Sequence, residues 1–240
     1  MRVRELSVFL PCYEEEGNVA RTVERAVAAL RERDLDRFEI IVVNDGSRDR
    51  TGAIADALAG EYDEVRVAHH AQNQGYGGAL RTGFAEAKFP WVFFTDGDGQ
   101  FDLAEIDGFL TAADDAEVVI GYRLQRADHF GRRVNTWLWS LAVRTLFRLR
   151  VRGIDCAFKL LSRRALDEVG PLTASGAVIS TELLVGVRRA GLPIREIGVH
   201  HYPRQAGAPT GASVNVILRA LRELVALRVR TPRRKRTTRA

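Results

Sequence analysis

The chain holds 240 residues, 46% hydrophobic and 28% charged; this globular balance excludes a disordered or fibrous protein and allows one large domain or two small ones. The formal charge of +5 is unevenly spread: residues 122–152 carry eight arginines against the single acid Asp128, and residues 228–240 carry seven basic residues and no acid. The rest is mildly acidic, so anionic partners are expected at particular surfaces.

The first apolar run, 6–10, is too short for a signal-peptide core. No window reaches the roughly 20 apolar residues that span a bilayer, so neither leader nor transmembrane anchor is expected. Two cysteines, Cys12 and Cys156, are too few for a disulfide framework or a four-thiolate zinc site, which favours a reduced, cytosolic setting. Strand-like runs follow at 38–43, 65–69, 91–95, 117–122 and 194–201, several of them continuous rather than alternating. Helical patterns lie between them at 19–33, 51–59, 77–87 and 103–113. This β-α-β-α order predicts an α/β fold, a mostly parallel sheet sandwiched by helices, with ligands beyond the carboxyl ends of its strands. Two further stretches, 132–150 and 213–229, have the period of amphipathic helices. Each either packs on the core or lies in a membrane interface.

Polar motifs follow the strands. Pro11 ends the first, Tyr13 is placed to line a base pocket, and Glu14–Glu16 fall where a helix dipole favours acids. Asp45 sits at the second strand end, placed to accept hydrogen bonds from a nucleobase or ribose, whereas Asp49 reads as an N-cap. The glycines of 73–83 permit close backbone approach, but the spacing matches neither a Walker loop nor a dinucleotide fingerprint. After the fourth strand, Asp96, Asp98 and the amide oxygen of Gln100 offer all-oxygen ligation suited to Mg²⁺ or Mn²⁺, with positions left for substrate phosphates. A plain Asp/Gly-rich turn would have the same composition. His69, His70, His200 and His201 lack companions at ligand spacing and do not read as zinc ligands.

Taken together and in this order, the four motifs resemble family 2 glycosyltransferases with the GT-A fold, in particular the branch containing dolichol-phosphate mannose synthase and bacterial polyprenyl-phosphate glycosyltransferases. The resemblance spans about residues 5–205 and is most specific in the first 125. It implies that Pro11, Tyr13 and Glu15 belong to a nucleotide motif, with Glu14 replacing the usual Asn. Asp45 matches the residue that reads the base. Asp96 and Asp98 match the Asp-x-Asp pair, with Gln100 as third metal ligand. Arg123, with Arg132 and Arg133, would contact the acceptor phosphate. Asp155 lies in a segment that shapes the acceptor side. Arg204 lies in a loop, Ala212 and Ser213 included, that closes over the diphosphate; Val214 stands where the family carries a lysine.

The expectation is one GT-A domain over 1–212, a donor half to about 123 and an acceptor half beyond it, then an amphipathic helix at 213–230 and a disordered basic tail at 231–240. It would act as a metal-dependent inverting enzyme moving a hexose from a nucleotide sugar, of the GDP-mannose or UDP-glucose type, to a polyprenyl phosphate. The amphipathic helices and tail would hold it peripherally on the inner face of an anionic membrane. A hydroxyl acceptor would instead need a carboxylate base, for which Glu182 is the candidate. A nucleotidyltransferase on a similar sheet is a third enzymatic reading. A basic nucleic-acid-binding protein is the non-enzyme alternative; no recognisable module supports it, and no nucleic-acid partner is expected.

Overall fold

The computed structural model describes residues 2–124, 139, 141–204, 206 and 214–231. Arg132, Arg133, Ala212, Ser213, the first part of the predicted helix at 132–150 and the tail beyond Thr231 lie outside the described residues.

Among the described residues seven strands form one sheet: β1 (Glu5–Cys12), β2 (Arg37–Asn44), β3 (Val65–His69), β4 (Trp91–Thr95), β5 (Val118–Arg123), β6 (Phe158–Ser162) and β7 (Ile194–Val199), in the order β3-β2-β1-β4-β6-β5-β7. All pairs are parallel except those of β6, which runs antiparallel to β4 and β5. The carboxyl ends of the other six strands therefore share one edge. The continuous apolar runs are covered on both faces, as parallel sheets require. Helices α1 (Val19–Arg31), α2 (Thr51–Glu61), α3 (Tyr76–Glu86) and α4 (Asp107–Ala112) fall where periodicity placed them, α4 preceded by a 3₁₀ turn at Leu103–Ile106. Aromatic packing joins the layers: Phe9 of β1 stacks on Phe94 of β4 at 5.3 Å and meets Phe84 of α3 edge-on at 5.1 Å.

Three elements were not predicted: β6, α5 (Arg163–Val169) and α6 (Val178–Ala190). Strand β6 reads FKLLS, and its lysine interrupts the apolar pattern. Helix α6 is rich in β-branched residues, whose restricted side chains lower helix propensity. Its buried face supplies the stability that propensity lacks.

Two predicted stretches need correction. The helix at 132–150 is helical over 141–147 and stops before Arg148, whose φ of +54° a right-handed helix cannot contain. Its seat on the core is made by Trp139, Val143, Leu146 and Phe147, whereas Leu141 and Thr145 of the predicted apolar face are exposed. The last strand ends at Val199, leaving His200 and His201 in the following loop. The final helix, α7, runs Val214–Arg230 against a predicted 213–229.

Candidate functional site at the strand tips

Hydrogen bonds hold three strand ends together. The Asp45 amide donates to Cys12 O at 2.9 Å, and the Gly97 amide donates to Pro11 O at 3.3 Å. Asp96 and Asp98, just beyond β4, thus face the turns after β1 and β2. Asp96 Oδ1 accepts from the Tyr76 hydroxyl at 3.2 Å, and Asp98 Oδ1 from the Gln100 amide at 3.0 Å. Burial pushes the Asp96 carboxyl up, to about 7, and the neighbouring Asp98 charge adds to this against the pull of Tyr76, Arg123 and Lys159. Burial also raises Asp98, against the Gln100 amide, Arg204 and Arg123. Two crowded carboxyls of this kind favour a cation between them.

Arg204 supplies part of that charge. Its Nη1 lies 3.4 Å from Asp98 Oδ2, its Nη2 donates to Glu15 Oε1, and its Nε donates to Ala206 O at 2.8 Å. Glu15 is buried; its second oxygen accepts from Asn18 Nδ2 at 2.7 Å, and its amide donates to Thr51 Oγ1 at 2.8 Å. Gln100 donates through Nε2 to Tyr202 O at 2.9 Å, while the Tyr202 amide donates to Gln100 O at 2.8 Å. The predicted diphosphate loop is therefore stapled to the predicted metal motif.

At the tip of β2, Asp45 Oδ1 accepts from His70 Nδ1 at 2.6 Å and from the Gln74 amide at 2.8 Å. His70 Nε2 pairs with Thr82 Oγ1 at 2.8 Å. Gly46 makes this possible: its φ is +68°, and a Cβ there would fall 2.5 Å from the Gln72 and Asn73 backbone. Tyr13 and Pro11 sit beside this end, partly exposed. Glu14 carries a φ of +55°, with its amide donating to Ser47 Oγ at 3.0 Å.

On the far side of the carboxyl pair, Arg123 closes β5, and its buried Nε has no hydrogen-bond partner among the described residues. A guanidinium nitrogen left unsatisfied in this way fits an incoming anion. Lys159 of β6 is fully buried and donates to Ile154 O at 3.2 Å and to Cys156 O; burial lowers its ammonium. Cys12 and Cys156 are buried thiols.

Glu182 is not brought to this cluster. Its two oxygens accept from the Thr173 amide, the Thr173 hydroxyl and the Ala174 amide, each at 2.8 Å. It lines a separate groove of about 630 Å³ with Thr173, Arg189, Leu227 and Arg230. Its hydrogen bonds hold a loop whose Ser175 O receives the Gly77 amide at 2.8 Å, at the start of α3.

His70, Tyr76 and Lys159 were not named as site residues from sequence. The signal available for His70 and Tyr76 was their place just beyond β3, on the same sheet edge. Among the described residues no group of three or more His, Cys, Asp or Glu could hold a metal. The donor set is thus a carboxylate pair with Gln100 nearby. That fits a Mg²⁺-like ion, which is held by one or two carboxylates together with substrate phosphates.

The sequence profile described as Glycosyl transferase family 2 matches residues 7–170. Among curated proteins, the dolichyl-phosphate beta-glucosyltransferase of Saccharomyces cerevisiae is 28% identical over 81% of this chain and 66% of its own length. Glycosyltransferase AglD of Haloferax volcanii is 32% identical over 83% of this chain and 33% of its own. The chain thus spans about two thirds of one relative and one third of the other. Among solved structures, glucosyl-3-phosphoglycerate synthase from Mycobacterium tuberculosis, in complex with Mn²⁺, UDP and glucosyl-3-phosphoglycerate, aligns over 96% of this chain and 81% of that one, with a TM-score of 0.70 and 22% identity. That likeness identifies the GT-A fold. With the profile covering most of the chain, and the motifs it spans meeting at one sheet edge, the protein belongs to glycosyl transferase family 2.

Proposed function

We propose that the protein is an inverting hexosyltransferase that takes a sugar from a GDP-mannose or UDP-glucose type donor and passes it to a polyprenyl phosphate at a membrane surface. The observation that carries this reading is the meeting of Asp96, Asp98 and Arg204 at the sheet edge where Arg123 ends β5, its Nε without a hydrogen-bond partner among the described residues. The name of the yeast relative supports the lipid-phosphate acceptor, that of the Haloferax relative supports glycosyl transfer alone, and the Mn²⁺ and UDP bound in the structural neighbour support the donor.

Asp96 and Asp98, with Gln100, would hold Mg²⁺ or Mn²⁺. When bound, such an ion acts as a Lewis acid on the nucleoside diphosphate leaving group. Asp45 accepts a hydrogen bond from the base, with Tyr13 and Pro11 beside it. Glu15 orients Arg204, which turns to the diphosphate as negative charge develops there. Arg123, with Arg132 and Arg133, orients the acceptor phosphate. A phosphate monoester has its second pKa at about 6 and attacks without a general base. The hydroxyl-acceptor reading has less support, because Glu182 spends its oxygens on the 173–174 loop.

No described helix is long and apolar enough to cross a membrane. Peripheral attachment to an anionic inner membrane face, through α7 and the basic tail, is part of the same proposal.

The test incubates the full chain and Mn²⁺ with each donor and either a short-chain polyprenyl phosphate or a sugar alcohol. Glycosyl-phosphate lipid and free nucleoside diphosphate are the expected products, and Asp98→Ala nearly abolishes them. Transfer to the alcohol alone, or release of pyrophosphate, overturns the reading.

A further inference from the structure

The hydrogen bonds around Asp45 contain information about the donor base that the motif itself does not. An ionised carboxylate only accepts, with two lone pairs on each oxygen. His70 Nδ1 must therefore carry the proton in its 2.6 Å bond to Asp45 Oδ1. With the Gln74 amide also on Oδ1, at 2.8 Å, both lone pairs of that oxygen are used. Oδ2 has no partner among the described residues.

Neither donor can easily leave. Thr82 Oγ1 grips the far nitrogen of the His70 ring at 2.8 Å, and the His70 side chain is only 6% exposed. The His70 amide donates to Asn44 O at 2.9 Å, and Gly46 packs against the backbone of Gln72 and Asn73. The segment from His70 to Gln74 is thus locked onto the tip of β2.

We infer that His70 is a specificity-determining positioning residue: by filling Asp45 Oδ1, it leaves one acceptor, Oδ2, and so selects a base offering a single central N–H, the uracil class, over guanine. Guanine presents N1–H and N2–H side by side, a bidentate match that needs both oxygens of a carboxylate. With Oδ1 occupied, one guanine donor would be buried without a partner, which costs enough for about a tenfold or greater loss of affinity. Uracil presents N3–H alone, and Oδ2 satisfies it. The inference rests on the proposed nucleotide-sugar reading and on Asp45 facing the base.

The experiment is calorimetric titration of the full chain, in Mn²⁺, with UDP and with GDP. Wild type binds UDP about tenfold or more tightly than GDP. His70→Ala frees a lone pair on Oδ1, and the ratio narrows several-fold through better GDP binding. His70→Asn, whose amide N–H can replace Nδ1–H, restores the wild-type ratio; a merely structural histidine would change both affinities together and leave the ratio alone. Equal binding of UDP and GDP by wild type, or an unchanged ratio in His70→Ala, overturns the inference while leaving the donor reading intact. If neither nucleotide binds, the donor reading fails and this inference with it.

Discussion

Arg204 stands with its Nη1 3.4 Å from Asp98 Oδ2, a side-chain cation placed against one of the two carboxyls proposed to hold a metal ion. The guanidinium also bonds Glu15, so it joins the turn after β1 to the motif after β4. In this position it offsets part of the repulsion between Asp96 and Asp98, and it competes with any second cation for the same oxygens.

Two opposed effects follow for Arg204→Ala. Mn²⁺ alone binds more tightly, because the competing charge is gone. Turnover falls by about 100-fold, the scale expected when a positioned donor to developing charge is removed. Calorimetry without nucleotide and steady-state kinetics with donor read the two separately. Weaker Mn²⁺ binding in the variant would show that Arg204 organises the pair instead of competing for it.

Asp96→Asn tests the pair from the other side. A carboxyl whose pKa rises on folding destabilises the native state at neutral pH, since the charged form is favoured in the unfolded chain. Asparagine keeps an acceptor for the Tyr76 hydroxyl and removes the charge. The ligand-free variant melts about 2 °C or more above wild type. Added Mn²⁺ and UDP raise the Tm of wild type but not of the variant, as scanning fluorimetry will read.

Much of this site was legible because its polar residues directly follow continuous apolar runs. Pro11, Asp45 and Asp96 could be assigned to one edge once the strands were parallel. What stayed hidden depends on contacts between distant segments. Lys159 breaks the apolar pattern of β6, and only the folded carbonyls of Ile154 and Cys156 explain how an ammonium can sit there. His69 and His70 are adjacent and look alike. His69 pairs with Asp56 and is 42% exposed, whereas His70 turns inward to Asp45 at 6%. The occupation of Glu182 by backbone donors at Thr173 and Ala174 has no sequence signature.

Glu182→Gln and Arg123→Ala separate the two acceptor chemistries. Glutamine retains one carbonyl acceptor for the 173–174 loop, so turnover on polyprenyl phosphate stays close to wild type while stability falls by about 1 kcal/mol. Arg123→Ala lowers kcat/KM for the lipid phosphate by about 100-fold, the loss expected if the proposed charge-assisted contact to the acceptor is removed. Kinetics with the acceptor varied and the donor saturating distinguish them. The reverse pattern would return Glu182 to the role of base.

Acid stability has a contribution from Glu39, which ties β1, β2 and β3 together. Burial pushes its carboxyl up, but hydrogen bonds from Ser7 Oγ at 2.6 Å, Arg66 Nε at 2.8 Å and the Lys88 amide at 2.7 Å outweigh this and hold it below its ordinary value of 4.5. A depressed folded pKa stabilises above the unfolded value, and this stabilisation fades as pH falls through the folded one. Glu39→Gln therefore costs about 2 kcal/mol at pH 7, and the gap from wild type closes below pH 4.5. Urea denaturation across that range measures the closure; a gap independent of pH would mean that shape, not charge, matters at Glu39.

The exposed face of α7 bears on how a chain without a described spanning helix would meet the proposed lipid acceptor. Leu224 and Leu227 pack into the core, and Glu223 accepts from Ser175 Oγ, fixing which way the helix is turned. Leu221, Val225 and Val229, spaced one helical turn apart, point the other way, with Val225 61% and Val229 74% exposed. Arg222 and Arg228 lie beside this stripe, whereas Arg230 turns to Thr173 Oγ1, and five more basic residues follow after Thr231. An apolar stripe bordered by cations matches the headgroup boundary of an anionic bilayer, where each nearby Lys or Arg adds about 1 kcal/mol. Leu221→Asp with Val225→Asp should weaken sedimentation with phosphatidylglycerol vesicles about tenfold or more, since each change removes an apolar contact and adds a like charge. Deleting 231–240 should weaken it mainly at low salt, because its contribution is screened. Neither change touches the strand tips, so turnover with a water-soluble short-chain acceptor remains. Equal vesicle binding by wild type and the double variant would remove this face from the membrane reading and leave the attachment, if any, to another surface.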